Sequence, residues 1–186
     1  LPWRNKEQHI ISLFTKGDQH AMDKLYMEYA DYLTGVCARY ISDEDEVKDV
    51  LQDSFIKIFT QIHLFEYRGK DSLKAWITKV VINEALMYLR QNKTFLVPIQ
   101  ESDIVDCLDE EPEMENLGAD ILFSFIQKLP PGYRAVFNLF VIEEKSHKEI
   151  AEILQIQPAT SASQFLRARK LLAEMIREYK HQMENR

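Results

Sequence analysis

Apolar positions recur at three- and four-residue steps over most of the chain, the spacing that gathers side chains on one face of an α-helix. Behind Gly17-Asp18, which reads as a start signal, Met22, Leu25, Tyr26, Tyr29, Leu33, Val36, Cys37 and Tyr40 form one long amphipathic stripe. Ser42-Asp43-Glu44-Asp45-Glu46 then supplies N-capping oxygens and acidic side chains for the positive end of a second helix. Its stripe is Val47, Val50, Leu51, Phe55, Ile58, Phe59 and Ile62. The run Phe65-Glu66-Tyr67-Arg68-Gly69-Lys70-Asp71 breaks the pattern. Ser72 is the expected N-cap of a third helix, with Trp76, Ile77, Val80, Val81 and Leu89 on its apolar side and an end near Asn92.

From Thr94 to Asn116 the periodicity fades, two prolines appear, and the stretch from Glu101 to Glu111 carries many carboxylates without one basic residue. It reads as an extended linker. Order resumes with Ile121, Leu122, Phe125, Ile126 and Leu129, and Pro130-Pro131-Gly132 separates that helix from one bearing Tyr133, Val136, Phe137 and Phe140. Ser146 and Glu149 have capping-box spacing at the start of a short helix with Ile150, Ala151, Ile153 and Leu154. Pro158 suits a first helical position, and Phe165, Leu166, Leu171, Leu172, Met175, Ile176 and Tyr179 mark the last helix. The expected fold is all-α: two small helical domains, residues 1–93 and 117–186, joined by an acidic linker at 94–116, the second domain containing a helix-turn-helix.

The composition agrees, with 46% hydrophobic residues and only five glycines and six prolines in 186. No run of about twenty apolar residues occurs and the first residues lack a signal-peptide core, so the expectation is a cytoplasmic protein without direct membrane insertion. Cys37 and Cys107 have neither disulfide-framework nor zinc-site spacing, and Cys37 lies on a core stripe. The five histidines are scattered, and there is no phosphate-cradling glycine loop and no Ser/His/Asp arrangement. Asp49 and Asp53 lack metal-binding companions, and His147, beside the capping box, is expected on the surface. No catalytic residue, metal or cofactor is expected.

Net charge changes the picture once it is divided. The total of -7 argues against a nucleic-acid partner, but residues 94–120 hold nine acidic and no basic side chains. Residues 1–93 carry 13 basic against 14 acidic groups, and residues 121–186 carry 10 against 7. Both flanking pieces can therefore present basic surface to phosphate.

The short helix near 146–154, a brief turn and the longer helix from about 158 form a helix-turn-helix whose second member fits a major groove. On pattern alone an ordinary helical hairpin is the better reading. Thr160, Ser161, Ser163 and Gln164 are expected to be exposed on its early turns, followed by Arg167, Arg169 and Lys170, with no acidic residue between Glu152 and Glu174. A stand-alone helix-turn-helix transcriptional regulator accounts for this last third only.

Three motifs then carry a resemblance: Leu129-Pro130-Pro131-Gly132-Tyr133-Arg134-Ala135-Val136-Phe137, Ser146-His147-Lys148-Glu149-Ile150-Ala151 and Arg167-Ala168-Arg169-Lys170-Leu171-Leu172. They resemble domain four of the extracytoplasmic-function (ECF) sigma factors of bacterial RNA polymerase. The resemblance implies that this domain reads the minus-thirty-five promoter element through Lys148, Thr160, Ser161, Ser163, Gln164, Arg167, Arg169 and Lys170, and docks on the polymerase beta subunit. Two positions depart from the family pattern. Gln155 stands where a turn glycine is common, at a cost on the order of 1 kcal/mol if the backbone is left-handed, so a tighter or differently shaped turn is expected. Ala162 stands where Lys or Arg is frequent, removing one DNA contact.

The first domain resembles the family as well. Asp49-Val50-Leu51-Gln52-Asp53-Ser54-Phe55-Ile56-Lys57 is similar to the face that grips the beta-prime clamp helices. This implies polar contacts from Asp49, Gln52 and Asp53, with Phe55 and Ile56 packed beneath or beside them. The stretch from Phe65 to Ile77 and that from Asn83 to Arg90 match the minus-ten-reading loop and helix. Promoter opening needs cations for the strand backbone and a pocket for an unstacked base. Arg68, Lys70, Lys79 and Arg90 are implied for the backbone, Asn83 for a base edge and Tyr67 for stacking; Trp76 is assigned to packing. The family threads the linker through the polymerase's nucleic-acid path, although a plain soluble tether fits the same composition. The implied partners are the polymerase core, promoter DNA and an anti-sigma factor.

Overall fold

The computed structural model describes residues 6–92 and 117–184, so the acidic linker and Cys107 lie outside the described residues. Every regular element among them is helical. By backbone proximity the chain divides into two compact units, residues 1–88 and 89–186.

The first unit contains α1 (Lys6–Thr15), α2 (Ala21–Ala38), α3 (Glu44–Gln61), a single 3-10 turn (Ile62–Leu64) and α4 (Ser72–Gln91) as far as Tyr88; the last residues of α4, Arg90 among them, fall in the second unit. α1 is an addition to the sequence reading. It buries Ile10 and, unusually, the carboxylate residue Glu7. Between α1 and α2 the chain reverses at Gly17, whose φ of +67 is a conformation glycine adopts at little cost. The Asp18 side chain then accepts the His20 amide at 2.8 Å. Asp43 caps α3 as its spacing predicts, accepting from the amides of Asp45 and Glu46. Leu25, Leu33, Val36 and Cys37 of α2, Tyr40 just past its end, Val47, Val50 and Ile58 of α3, and Leu73, Ile77 and Val81 of α4 are all buried in the core. Each aliphatic side chain so buried contributes roughly 1.5–3 kcal/mol.

The start of α4 differs from expectation. Ser72 is already helical, and its hydroxyl donates to the Gly69 carbonyl at 2.6 Å instead of accepting an amide of the first turn. Glu7 does the capping, accepting the Lys74 amide at 2.9 Å from another helix. The α3–α4 contact carries one more charged link, Lys57 to the buried Glu84.

The second unit contains α5 (Ala119–Lys128), α6 (Pro131–Val141), α7 (His147–Leu154) and α8 (Pro158–Glu184). Pro131 opens α6, where a missing amide hydrogen costs nothing. The buried Arg134 guanidinium donates to the Gln127 carbonyl at 2.6 Å, satisfying an acceptor in the last turn of α5. Phe125, Ile126, Leu129, Tyr133, Ala168, Leu172 and Ile176 make the shared core of α5, α6 and α8.

Candidate functional site

On α3, Asp49, Gln52, Asp53 and Ile56 project from one face, and all four are exposed. Neither Asp49 nor Asp53 forms an ion pair among the described residues, so both carboxylates face solvent. Phe55 lies beneath, its ring 4.9 Å from that of Tyr26 on α2. Ile56 stands beside the polar group with 56% of its surface exposed, and the exposed Phe59 follows it one turn on. Periodicity placed Phe59 and Tyr26 on core stripes, but they are 54% and 55% exposed, at the margins of the two helices.

The loop from Phe65 to Asp71 is shaped by Gly69 at φ +125 and Asp71 at φ +65. Arg68 and Lys70 are exposed and Tyr67 is half-buried. The Arg68 guanidinium lies 3.4 Å from the Glu66 carboxylate, with both side chains largely solvated, so this pair is easily exchanged for another anion. Lys79 and Asn83 are exposed one turn apart on α4, and Arg90, on its last turn, is partly buried. Lys74 is occupied, its ammonium 4.1 Å from the centre of the Tyr32 ring. Trp76 packs on Phe65 at 5.3 Å between ring centres, in keeping with a packing role. A groove of about 640 Å³ in this unit is lined by Phe14, Met22, Phe59 and Phe65, and not by Arg68, Lys70 or Asn83.

In the second unit the helix-turn-helix is held by a full capping box. The Ser146 hydroxyl accepts the Glu149 amide while the Glu149 carboxylate accepts the Ser146 amide at 2.8 Å. The Ser146 amide, together with the Ser146 hydroxyl donating at 2.7 Å, holds the Glu149 carboxyl below the usual carboxylate range. Gln155 ends α7 in a left-handed conformation, φ 57 and ψ 45, with its amide donating to the Ala151 carbonyl. The expected tighter or different turn is therefore absent. Gln155 takes the backbone that glycine would take, with its side chain in solvent.

The expected exposure of Ser161 and Gln164 is corrected: they are 0% and 1% exposed. Both fall on the side of α8 that carries Ala168 and Leu172 into the core. The Ser161 hydroxyl lies 2.9 Å from Nδ1 of His147. His147 is in turn only partly exposed, stacked on Phe140 at 4.7 Å, so the expected surface histidine joins α6, α7 and α8. No sequence signal separated these polar residues from the exposed ones. Thr160 and Ser163 are half-exposed, and the Ser163 hydroxyl donates to the Thr160 carbonyl at 3.0 Å. Arg169, Lys170 and Lys148 are exposed, while Arg167 is partly buried with its guanidinium 3.3 Å from the Tyr133 hydroxyl.

No helix among the described residues is long and apolar enough to cross a membrane, and no group of metal-ligating side chains occurs among them. Residues 25–95 match the family described as Sigma-70 region 2, and residues 120–172 match Sigma-70, region 4. The chain is 30% identical over 182 residues to an ECF RNA polymerase sigma-E factor of Haemophilus influenzae, covering 91% of this chain and 95% of that one. It is 28% identical over 191 residues to the RNA polymerase sigma-H factor of Pseudomonas aeruginosa, covering 94% and 98%. The Escherichia coli ECF sigma-E factor is 28% identical over 180 residues, covering 89% and 92%. Among solved structures, CnrH in complex with the cytosolic domain of CnrY aligns with a TM-score of 0.49 and 19% identity, over 94% of this chain and 99% of that chain. With the two sigma regions in order and near full-length similarity to such proteins, the chain belongs to the ECF family of RNA polymerase sigma factors.

Proposed function

We propose that this sigma factor divides its work between the two units, the first holding core polymerase and opening the promoter near minus ten, the second reading the minus-thirty-five element. The observation that carries the reading is the α3 face, where Asp49, Gln52, Asp53 and Ile56 are exposed together. Solvent-facing carboxylates beside a protruding isoleucine suit an interface with an apolar centre and a polar rim. Its partner is the clamp of the beta-prime subunit, and Phe55 supports the face from below. In the same unit Arg68, Lys70 and Lys79 meet the backbone of the opened strand, and Arg90 on the last turn of α4, past the unit's boundary, serves the same backbone. Asn83 addresses a base edge and Tyr67 offers a stacking surface.

In the second unit Lys148, Arg167, Arg169 and Lys170 meet duplex phosphates, and Thr160 and Ser163 supply short polar groups. Ser161 and Gln164 act from inside, by fixing α8 in the domain. The unit also docks on the beta subunit. The chain itself makes no bonds in this scheme; the polymerase supplies the chemistry, in the cytoplasm. An anti-sigma protein that covers the α3 face would silence the factor by competing with the clamp.

Reconstitution with core polymerase and a promoter template tests this. Asp53→Ala with Ile56→Asp is expected to abolish assembly with core. Arg169→Ala with Lys170→Ala is expected to leave assembly intact, to weaken promoter binding and to reduce the slope of log affinity against log salt concentration by about 0.9 for each phosphate that is no longer neutralised. Absence of both a complex and a run-off transcript for the unaltered chain would sink the proposal.

A further inference from the structure

α8 presents to solvent a different set of side chains from the one its polar residues suggest. Successive residues in a helix lie about 100° apart, and the buried line here is Ser161, Gln164, Ala168 and Leu172. Opposite it run Ala159, Ala162, Ser163, Leu166 and Lys170, of which Ala159, Leu166 and Lys170 are exposed and Ala162 and Ser163 half-exposed. Arg169 flanks this line on one side, Thr160 and Arg167 on the other. The Ser163 hydroxyl hydrogen is committed to the Thr160 carbonyl. The midline of the helix is therefore mostly apolar, with Leu166 its largest member at 44% exposure.

A single exposed leucine is ordinary on a protein surface. This one sits between cations, on a stretch with no acidic residue from Glu152 to Glu174, so duplex phosphates are the matching partner for its flanks. A helix seated by those flanks presses its midline onto base edges. In the major groove the one apolar group a base pair offers is the C5-methyl of thymine. An amino group of adenine or cytosine placed there would lose its water and gain no acceptor.

Resting on the reading of α8 as the minus-thirty-five helix, we infer that Leu166, with Ala162 beside it, is a specificity-determining residue that receives a thymine methyl group. The preferred minus-thirty-five element of this factor then contains a thymine opposite the centre of α8.

The test uses holoenzyme assembled from the full chain and core polymerase. Selection from a library randomised upstream is expected to return an element with a defined thymine. Replacing that thymine by deoxyuridine, which removes only the methyl group, should weaken binding about fourfold, as expected for the loss of one buried methyl. In Leu166→Ala holoenzyme the two templates should bind equally. Leu166 is exposed enough for this variant to fold, which its circular dichroism verifies. An element without thymine, equal binding of both templates by the unaltered factor, or uracil sensitivity that survives in Leu166→Ala overturns the methyl contact and leaves minus-thirty-five reading standing. Selection that returns no upstream preference, with core assembly intact, overturns the reading of α8 and the methyl contact with it.

Discussion

The Glu7 carboxylate on α1 accepts the backbone amide of Lys74 in the first turn of α4, 67 residues away, at 2.9 Å. Its charge also bears on the Tyr29 phenol of α2, helping to keep it protonated. One buried acid thus ties α1 to α4 at the point where the loop from Phe65 to Asp71 enters α4. Glu7→Ala leaves the Lys74 amide without this partner and should cost about 1–3 kcal/mol. Glu7→Gln keeps an acceptor oxygen and should cost less. Urea unfolding of the two variants gives the comparison; equal stability of Glu7→Ala and the unaltered chain would contradict the tie.

Gln155 holds the helix-turn-helix corner at φ 57. A side chain there strains the backbone, and glycine does not, although glycine gives the unfolded chain more freedom. The net expectation for Gln155→Gly is a gain of about 0.5–1 kcal/mol, and for Gln155→Val a loss of similar size or more. Thermal unfolding separates them by the direction of the shift in Tm.

Much of the fold was legible because local chemistry and helical period agreed. The Asp43 cap, the Ser146–Glu149 box and Pro158 at the start of α8 each follow from one residue's bonding needs. The α3 face was legible too, since residues three and four apart must share a side. Periodicity failed at stripe margins, where Tyr26 and Phe59 lie on apolar faces wider than the contact that covers them. It failed again at Ser161 and Gln164, because the side of α8 that meets α7 is chosen by tertiary packing and a polar side chain is admitted wherever a partner such as His147 is supplied. α1 escaped notice because it is short and its stabilising residue, Glu7, is polar.

Burial pushes the Cys37 thiol up from 9.0 to about 12, and the Tyr29 phenol up from 10.0 to about 12 with added repulsion from Glu7, Glu28 and Asp71. In a Cys107→Ser background the folded chain should resist alkylation near pH 9.0, where an exposed thiol is half ionised, and react on unfolding. For both groups the folded value exceeds the unfolded one. Their contribution to stability is complete below the unfolded values and is lost as the pH rises through about 12. Urea midpoints measured across alkaline pH should fall over that window, and the fall should shrink in Tyr29→Phe. A rapid reaction of Cys37 in the folded chain would show that the α2 core opens more readily than its burial implies.

His147 sets how α8 sits in its domain. Its Nδ1 meets the buried Ser161 hydroxyl at 2.9 Å, and its ring stacks on Phe140 at 4.7 Å and leans on Phe165 at 5.9 Å. The hydrogen bond fixes α8 in rotation, and the rings fix its distance from α6 and α7. His147→Phe keeps the stack and removes the bond; Ser161→Ala removes the bond from the other side. In a double-mutant cycle the two should couple by about 1 kcal/mol of stability. If Ser161 positions the DNA-facing side of α8 and does not itself touch DNA, each single variant should weaken promoter binding without narrowing or shifting base preference, and the double variant should lose little more than either. A change in the selected element on Ser161→Ala alone would instead place that hydroxyl at the bases.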